Sequence, residues 1–205
     1  MAGGNRVRLF PWRRRPGSLL PGAALALLVS LAGCHRQPPA PADRPGFGGD
    51  FTLTNQHGQP FQLTQLRGKV VLLFFGYTFC PDMCPMTMAH ITDVMTRLGD
   101  DRREVAPVFV SLDPQRDTPA SIQAYVTHFS PELTGLTGSA AEIARVAGQY
   151  HVSYTTIDPG SKDYLINHTT AIFLIDRQGA LRNYVAYNEP TDRLVAAVRA
   201  LLQEH

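Results

Sequence analysis

Two cysteines four residues apart, in Cys80-Pro81-Asp82-Met83-Cys84-Pro85, are the part of this 205-residue chain best equipped for chemistry. They follow the apolar run 70–75 (VVLLFF), so both thiols come where a buried strand gives way to a helix. A four-residue offset turns both sulfurs to one side if the segment curls into a helical turn, and Pro81 and Pro85 stiffen it. Cys84 is expected near the helix N-terminus, where free backbone N–H groups and the helix dipole lower a thiol pKa below its ordinary ~8.5. A thiolate serves equally as a metal ligand and as the nucleophile of disulfide exchange. A structural disulfide is the plain alternative, but so short a ring constrains the unfolded chain little, which argues mildly against it.

A third donor is singled out by its place. His168, in Asn167-His168-Thr169-Thr170, precedes a second apolar run, 171–175 (AIFLI), and strand ends are where α/β folds gather side chains from remote parts of a chain. Other histidines are less well placed. His90 lies on the helix after Cys84, about a turn and a half from the sulfurs; His35 is in a proline-rich stretch, and His57, His128, His151 and His205 lie near turns or ends. Two thiolates and one imidazole make three ligands. Structural zinc takes four, usually from two close pairs, and apart from Cys34-His35 at the end of the leader the sequence holds no second Cys/His pair. Soft sulfur at low coordination number favours Cu(I), with Cu(II) accommodated if water or a carboxylate joins, so copper leads zinc. Met83, Met86 and Met88 crowd the same segment and could supply an accessory thioether; methionine more often fills gaps, so packing is their expected role.

The elements that must position these groups alternate. Residues 51–54 and 61–63 flank Asn55-Gln56-His57-Gly58 as an N-terminal hairpin. The continuous apolarity of 70–75 predicts a strand buried on both faces. Pro85 suits a first helical turn, and Met88, Ile91, Met95 and Leu98 then fall on one helix face. A strand over 105–112, helices over 121–129 and 140–150, a strand over 152–157, a hairpin of 171–176 with 181–187, and a helix over 192–202 complete the chain. This is an α/β protein, a mixed sheet between helical layers. The order resembles a thioredoxin-like domain, whose thiols lie at the first strand-to-helix junction.

The first 33 residues read as a leader. Arg6, Arg8, Arg13, Arg14 and Arg15 form a basic region without acids, residues 19–31 are mostly apolar, and Leu31-Ala32-Gly33-Cys34 has the small-residue form of a cleavage site. The segment resembles a bacterial lipoprotein signal with Cys34 lipidated; an uncleaved anchor is the alternative, though the stretch is short against the ~20 residues a spanning helix needs. Residues 34–49, rich in Pro, Ala and Gly, read as a tether, and 50–205 as the folded domain. Lipidation of Cys34 leaves one cysteine pair for an oxidising compartment. Without its five leader arginines the chain has 14 basic and 17 acidic residues, net −3 instead of +2, which removes the basis for a nucleic-acid partner.

Three motifs now carry a resemblance to the Sco/SenC/PrrC family of copper-delivery proteins, spanning roughly 51–202. Residues 76–85 (GYTFCPDMCP) resemble its metal loop, 110–119 (VSLDPQRDTP) a second signature, and 163–170 (DYLINHTT) a third that carries the histidine. The resemblance implies a thioredoxin-like fold in which Cys80, Cys84 and His168 bind copper. It implies the cytochrome c oxidase CuA centre of subunit II as recipient, with a periplasmic copper donor as a further partner; the lipoprotein-type leader implies membrane anchoring facing the periplasm or the outer side of the cytoplasmic membrane. Many relatives carry histidine where this chain has Phe79, a departure that leaves the ligands intact. In 113–119 the ordinary reading is a turn at Asp113-Pro114 and a helix capped by Thr118 and opened by Pro119; the functional one is a docking loop using Asp113 or Asp117.

Two functions compete. A metallochaperone moves copper by ligand exchange and is not an enzyme. A thiol–disulfide oxidoreductase uses Cys80 and Cys84 as a catalytic disulfide pair to reduce target cysteines before metallation. The three-residue spacer, and Thr169-Thr170 where thioredoxins place a proline, lead away from a general reductase. A peroxiredoxin is disfavoured because its Pro-x-x-x-Thr-x-x-Cys pattern is missing.

Overall fold

The computed structural model describes residues 46–204. The leader, Cys34, His35, the tether up to residue 45, and His205 lie outside the described residues. Residues 46–49 are held to the domain: Gly48 N–H donates to the Gln149 carbonyl (2.8 Å) and the Tyr150 hydroxyl donates to the Gly49 carbonyl (2.9 Å).

The elements are β1 (Thr52–Asn55), β2 (Pro60–Gln62), β3 (Val70–Gly76), α1 (Met83–Leu98), β4 (Val105–Ser111), α2 (Pro119–Phe129), β5 (Thr134–Thr137), α3 (Ala140–Gln149), β6 (Tyr154–Ile157), β7 (Leu165–His168), β8 (Ala171–Ile175), β9 (Leu181–Ala186) and α4 (Thr191–Gln203). Seven strands form one sheet in the order β2-β1-β5-β4-β3-β8-β9, while β6 and β7 pair apart as a small hairpin. Strands β3, β4 and β5 run parallel and the flanking pairs antiparallel. This is a thioredoxin-like α/β domain with a mixed sheet, helices on both faces and the expected N-terminal hairpin.

All seven residues of β3 are buried, and the strand's alternation divides them between two cores. Val70, Leu72 and Phe74 pack with α1, α2 and α4; Val71, Leu73 and Phe75 pack with α3 and the first hairpin. At about 1.5–3 kcal/mol for each large apolar side chain removed from water, β3 is an anchored element, and its C-terminal end is a firm platform for the cysteine loop. The helices stop and start as their sequences dictate. Thr118 Oγ1 accepts from Ser121 N–H with Pro119 in the first turn, and Ser139 with Glu142 forms a capping box on α3. Helix α1 has no such side-chain cap from Asp82, a point that matters at the site.

Pro85 falls in the first turn of α1, as read, and three details depart from the periodicity reading: β6 begins at Tyr154, and β5 and β7 are strands where none is expected. Strand β5 is short and interrupted by Gly135, where a Cβ would stand 2.2 Å from the Ile122 side chain, so α2 can lie close only over glycine. Strand β7 has four residues, too few for alternation to declare itself, and it exists because β6 pairs with it, Tyr154 opposite His168.

Candidate metal centre

Beyond Gly76 the chain leaves the sheet, and its exit is riveted to β4. The Gly76 carbonyl accepts from Leu112 N–H at 2.7 Å. Asp117 then takes three donors: Thr78 N–H at 3.0 Å, the Thr78 hydroxyl and the Ser111 hydroxyl. Its carboxylate is buried, which pushes its pKa up, while the bonds from Ser111 and Thr78 oppose that shift. Asp113 is buried too, accepting from Arg116 Nε and from the Tyr164 hydroxyl. The docking reading of these two aspartates is therefore corrected: both face inward and hold loops, and neither is free to meet a partner. The Arg116 guanidinium lies over the Tyr164 ring at 3.5 Å and the Phe79 ring at 4.7 Å. Phe79, where the resemblance departs, thus forms the exposed outer layer of that stack.

Both cysteines are free thiols. Cys84 sits in the first turn of α1, fully buried, and a Cβ on Gly76 would come within 2.9 Å of its sulfur. Cys80 precedes the helix, half-buried, and Cys84 N–H donates to its sulfur at 3.4 Å. The sulfur stands where a serine or aspartate oxygen would cap a helix. The Cys84 thiol is its strongest partner, and with the Asp82 and Cys84 N–H groups and the Tyr77 hydroxyl it pulls the Cys80 pKa down to about 5, against desolvation. Cys84 moves the opposite way, raised by that same bond and by burial. The expectation that Cys84 would carry the lowered pKa is overturned. A residue inside the first turn presents its side chain to the core, whereas the residue before the helix receives the unpaired N–H groups.

His168 ends β7, its ring meeting Phe74 and Tyr77 edge-on with centroids 6.2 and 6.0 Å away. Its Nδ1 lies 2.9 Å from the Thr169 carbonyl, which only accepts, so Nδ1 carries the proton and Nε2 presents a lone pair. That lone pair faces Cys84 Sγ at 3.5 Å. With bond lengths typical of metal–sulfur (~2.3 Å) and metal–imidazole (~2.0 Å), this separation closes on one ion at an angle of about 109°. The ring is braced from behind, because Thr169 N–H donates to the Ser153 carbonyl and Ser153 N–H to the Thr169 hydroxyl. Among the described residues no three His, Cys, Asp or Glu side chains are already gathered as a bound metal would hold them. The pair Cys84–His168 is set; Cys80, the half-exposed member in a loop, is the one left to close on an ion. The donors are two soft sulfurs and one neutral imidazole, which fits Cu(I).

The other candidates fall elsewhere. Met88 is buried in the core, Met83 is half-buried, Met86 is exposed, and His90 Nδ1 bonds the Tyr187 carbonyl. Gly76 and Tyr77 act on the site without having been picked out individually, and Asp117 is picked out only as a docking residue. Asp117 had a signal, an acid beside a helix cap, but its partner Thr78 is 39 residues away.

Residues 39–203 match the SCO1/SenC family model. A SCO2-like protein of Rickettsia conorii is 34% identical over 189 residues, 86% of this chain and 90% of the relative. The mitochondrial SCO1 homolog of Mus musculus is 33% identical over 195 residues, 92% of this chain and 68% of the relative. The solved structure of Bradyrhizobium japonicum ScoI with copper bound is 38% identical, with a TM-score of 0.70, covering 76% of this chain and 99% of that one.

Proposed function

The chain belongs to the SCO1/SenC family, and from that premise we propose that it is a copper metallochaperone, binding copper through Cys80, Cys84 and His168 and delivering it to the CuA site of cytochrome c oxidase subunit II. One observation carries the reading: His168, with Nδ1 committed to a backbone carbonyl, aims its Nε2 lone pair at Cys84 Sγ from 3.5 Å. The copper bound to Bradyrhizobium ScoI supports the choice of metal. Copper is cargo here. Cys80 is poised as a thiolate, Cys84 releases its proton on loading, and a three-coordinate Cu(I) leaves room for an incoming thiolate of the target. Each new bond lets one old ligand go, so the ion passes without being free. Oxidation of the two thiols to a disulfide, with loss of two protons and two electrons, removes two of the three ligands and would gate loading.

The proposal extends to the N-terminus: residues 1–33 as a lipoprotein-type signal, Cys34 as the lipidated residue, and 34–49 as a tether whose last four residues, 46–49, are docked on the working domain, which is held outside the cytoplasmic membrane. Among the described residues no helix is long and apolar enough to cross a membrane, so an anchor would have to be supplied from that end. The test of the ligand set is His168→Ala. Loss of one of three ligands should lower Cu(I) affinity by about 100-fold or more, since even outer-shell losses cost 10–100-fold. Undiminished affinity would remove the imidazole from the site.

The asymmetry of the thiols favours a second reading, a thiol–disulfide oxidoreductase that prepares the recipient's cysteines. The Cys80 thiolate attacks one sulfur of a target disulfide and expels the other. Buried Cys84 then displaces the target from Cys80, so the target gains two electrons and this protein becomes the disulfide. Metal-free, reduced protein mixed with an oxidised CuA-domain peptide distinguishes the two: no reduction over hours leaves metal transfer alone.

A further inference from the structure

The loop that carries Cys80 is fixed at both ends and held in the middle by a single side chain. Tyr77 is buried, and Thr78 is tied to Asp117 through both its N–H and its hydroxyl. Helix α1 takes the chain up again at Met83. Between those points lie Phe79, Cys80, Pro81 and Asp82, so a swing of Cys80 moves this span. The backbone restrains Cys80 only lightly, since its N–H reaches the Tyr77 carbonyl at a long 3.3 Å. Phe79 is the large side chain of the span; it is 55% exposed and belongs to neither core. Its ring lies on the Arg116 guanidinium, with 4.7 Å between ring centroid and Cζ, well inside cation–π range.

Arg116 is a firm support for that ring. Its side chain is 14% exposed, and its Nε donates to the buried Asp113 carboxylate at 2.5 Å. Tyr164 lies 3.5 Å from the guanidinium, and its hydroxyl donates to the same carboxylate at 2.6 Å. Arg116, Asp113 and Tyr164 therefore join their two loops without help from Phe79, whose contact serves the cysteine loop. The guanidinium is also placed for its rings more than for its edges, because buried Nη2 has no acceptor.

We propose that Phe79 and Arg116 form a latch on Cys80: Arg116 is a positioning residue that acts through the Phe79 ring to hold the loop, and so slows the loss of Cys80 from bound Cu(I). Phe79 and Cys80 are adjacent in the chain, so the stack parts before the sulfur can swing away. In release, the bond from Cu(I) to Cys80 Sγ breaks as a donor atom of the acceptor bonds the ion, and no electron moves. The copper half of the inference rests on Cys80 being a ligand, as proposed above; the latch itself does not, and the test reads the two separately.

Two measurements are made. Amide hydrogen-exchange protection is followed by NMR in the reduced, metal-free protein, and release of Cu(I) from the loaded protein to excess bathocuproine disulfonate is followed by absorbance. An exposed cation–π contact corresponds to about two- to fivefold in a rate or equilibrium constant. Phe79→Leu and Arg116→Lys should each lower protection of the Cys80 N–H and speed Cu(I) release by that factor. Protection of the Thr78 N–H, tied to Asp117, should not change. Arg116→Lys keeps the positive charge beside buried Asp113 and loses the planar stack, so it spares the fold. The double variant should be no faster than the faster single one, because both changes remove one contact. Phe79→Trp, which offers a cation the better ring, should slow release. Unchanged Cys80 protection in both single variants, additive effects in the double variant, or faster release from Phe79→Trp would overturn the latch. Lowered protection with unchanged Cu(I) release would overturn Cys80 as the ligand that leaves first. Cys80→Ser protein that binds Cu(I) as tightly as the wild type would overturn the ligand set instead, and leave the exchange result standing.

Discussion

The unequal cysteines make the sharpest prediction. The largest contribution to the low pKa of Cys80 is the Cys84 thiol, so Cys84→Ala should raise it from about 5 toward the free value near 8.5. It should stop short, because the Asp82 and Cys84 backbone N–H groups and the Tyr77 hydroxyl still bond the sulfur. Cys84→Ser, which keeps an O–H donor, should move it less. The readout is the alkylation rate of Cys80 in reduced, metal-free protein against pH, with the labelled residue identified by mass spectrometry. At pH 6 a thiol of pKa ~8.5 is about 0.3% thiolate whereas Cys80 is about 90% thiolate, a roughly 300-fold advantage. Nucleophilicity falls as pKa falls, with a Brønsted slope of ~0.4–0.5, which takes back about 40-fold over this interval. Wild-type Cys80 should therefore react several-fold faster than a small free thiol at pH 6, about equally near pH 7, and about tenfold slower at pH 8. Its rate should fall only as pH drops through about 5, where the thiolate takes up its proton. In Cys84→Ala the midpoint of the pH profile should move upward from about 5. Labelling of Cys84 before Cys80, or a wild-type midpoint near 8.5, would refute the assignment of the capping sulfur.

Other perturbations test the supports. Gly76→Ala would place a methyl 2.9 Å from Cys84 Sγ and 3.0 Å from the Phe74 and Phe109 rings, all fully buried, so urea unfolding should show a loss of about 1–3 kcal/mol. It should also show a smaller stabilisation on Cu(I) loading, since the displaced sulfur binds less well; unchanged stabilisation by copper would separate Gly76 from the site. Asp117→Asn turns an acceptor of three donors into a group whose NH2 opposes some of them, with an expected cost of about 1–3 kcal/mol by the same assay. Cys34→Ser should move the protein from membrane to soluble fractions on cell fractionation, and retention in the membrane would favour an uncleaved anchor.

How far the residues alone reach is clear from particular elements. Strand β3 is legible because it is buried on both faces and therefore apolar at every position, and α1 because its core stripe repeats at helical spacing. Strand β7 is not, since its existence depends on pairing with β6 and its four residues are outward and inward by turns. The proposed choice of copper over zinc rests on residue types, because donor number and softness are their properties.

What the amino-acid order determines by itself is which donors exist, that two of them stand at a strand-to-helix junction, and that the segments around them alternate as an α/β fold requires. The fold alone decides which cysteine holds the negative charge, because that depends on whether a sulfur lies before the helix, among unpaired N–H groups, or inside its first turn against the core. It alone decides the tautomer and aim of His168, because the Thr169 carbonyl takes the Nδ1 proton while strand pairing sets Nε2 beside a sulfur 84 residues earlier in the chain. Local pattern encodes what each segment buries; only closure of the chain brings two distant lone pairs to one point.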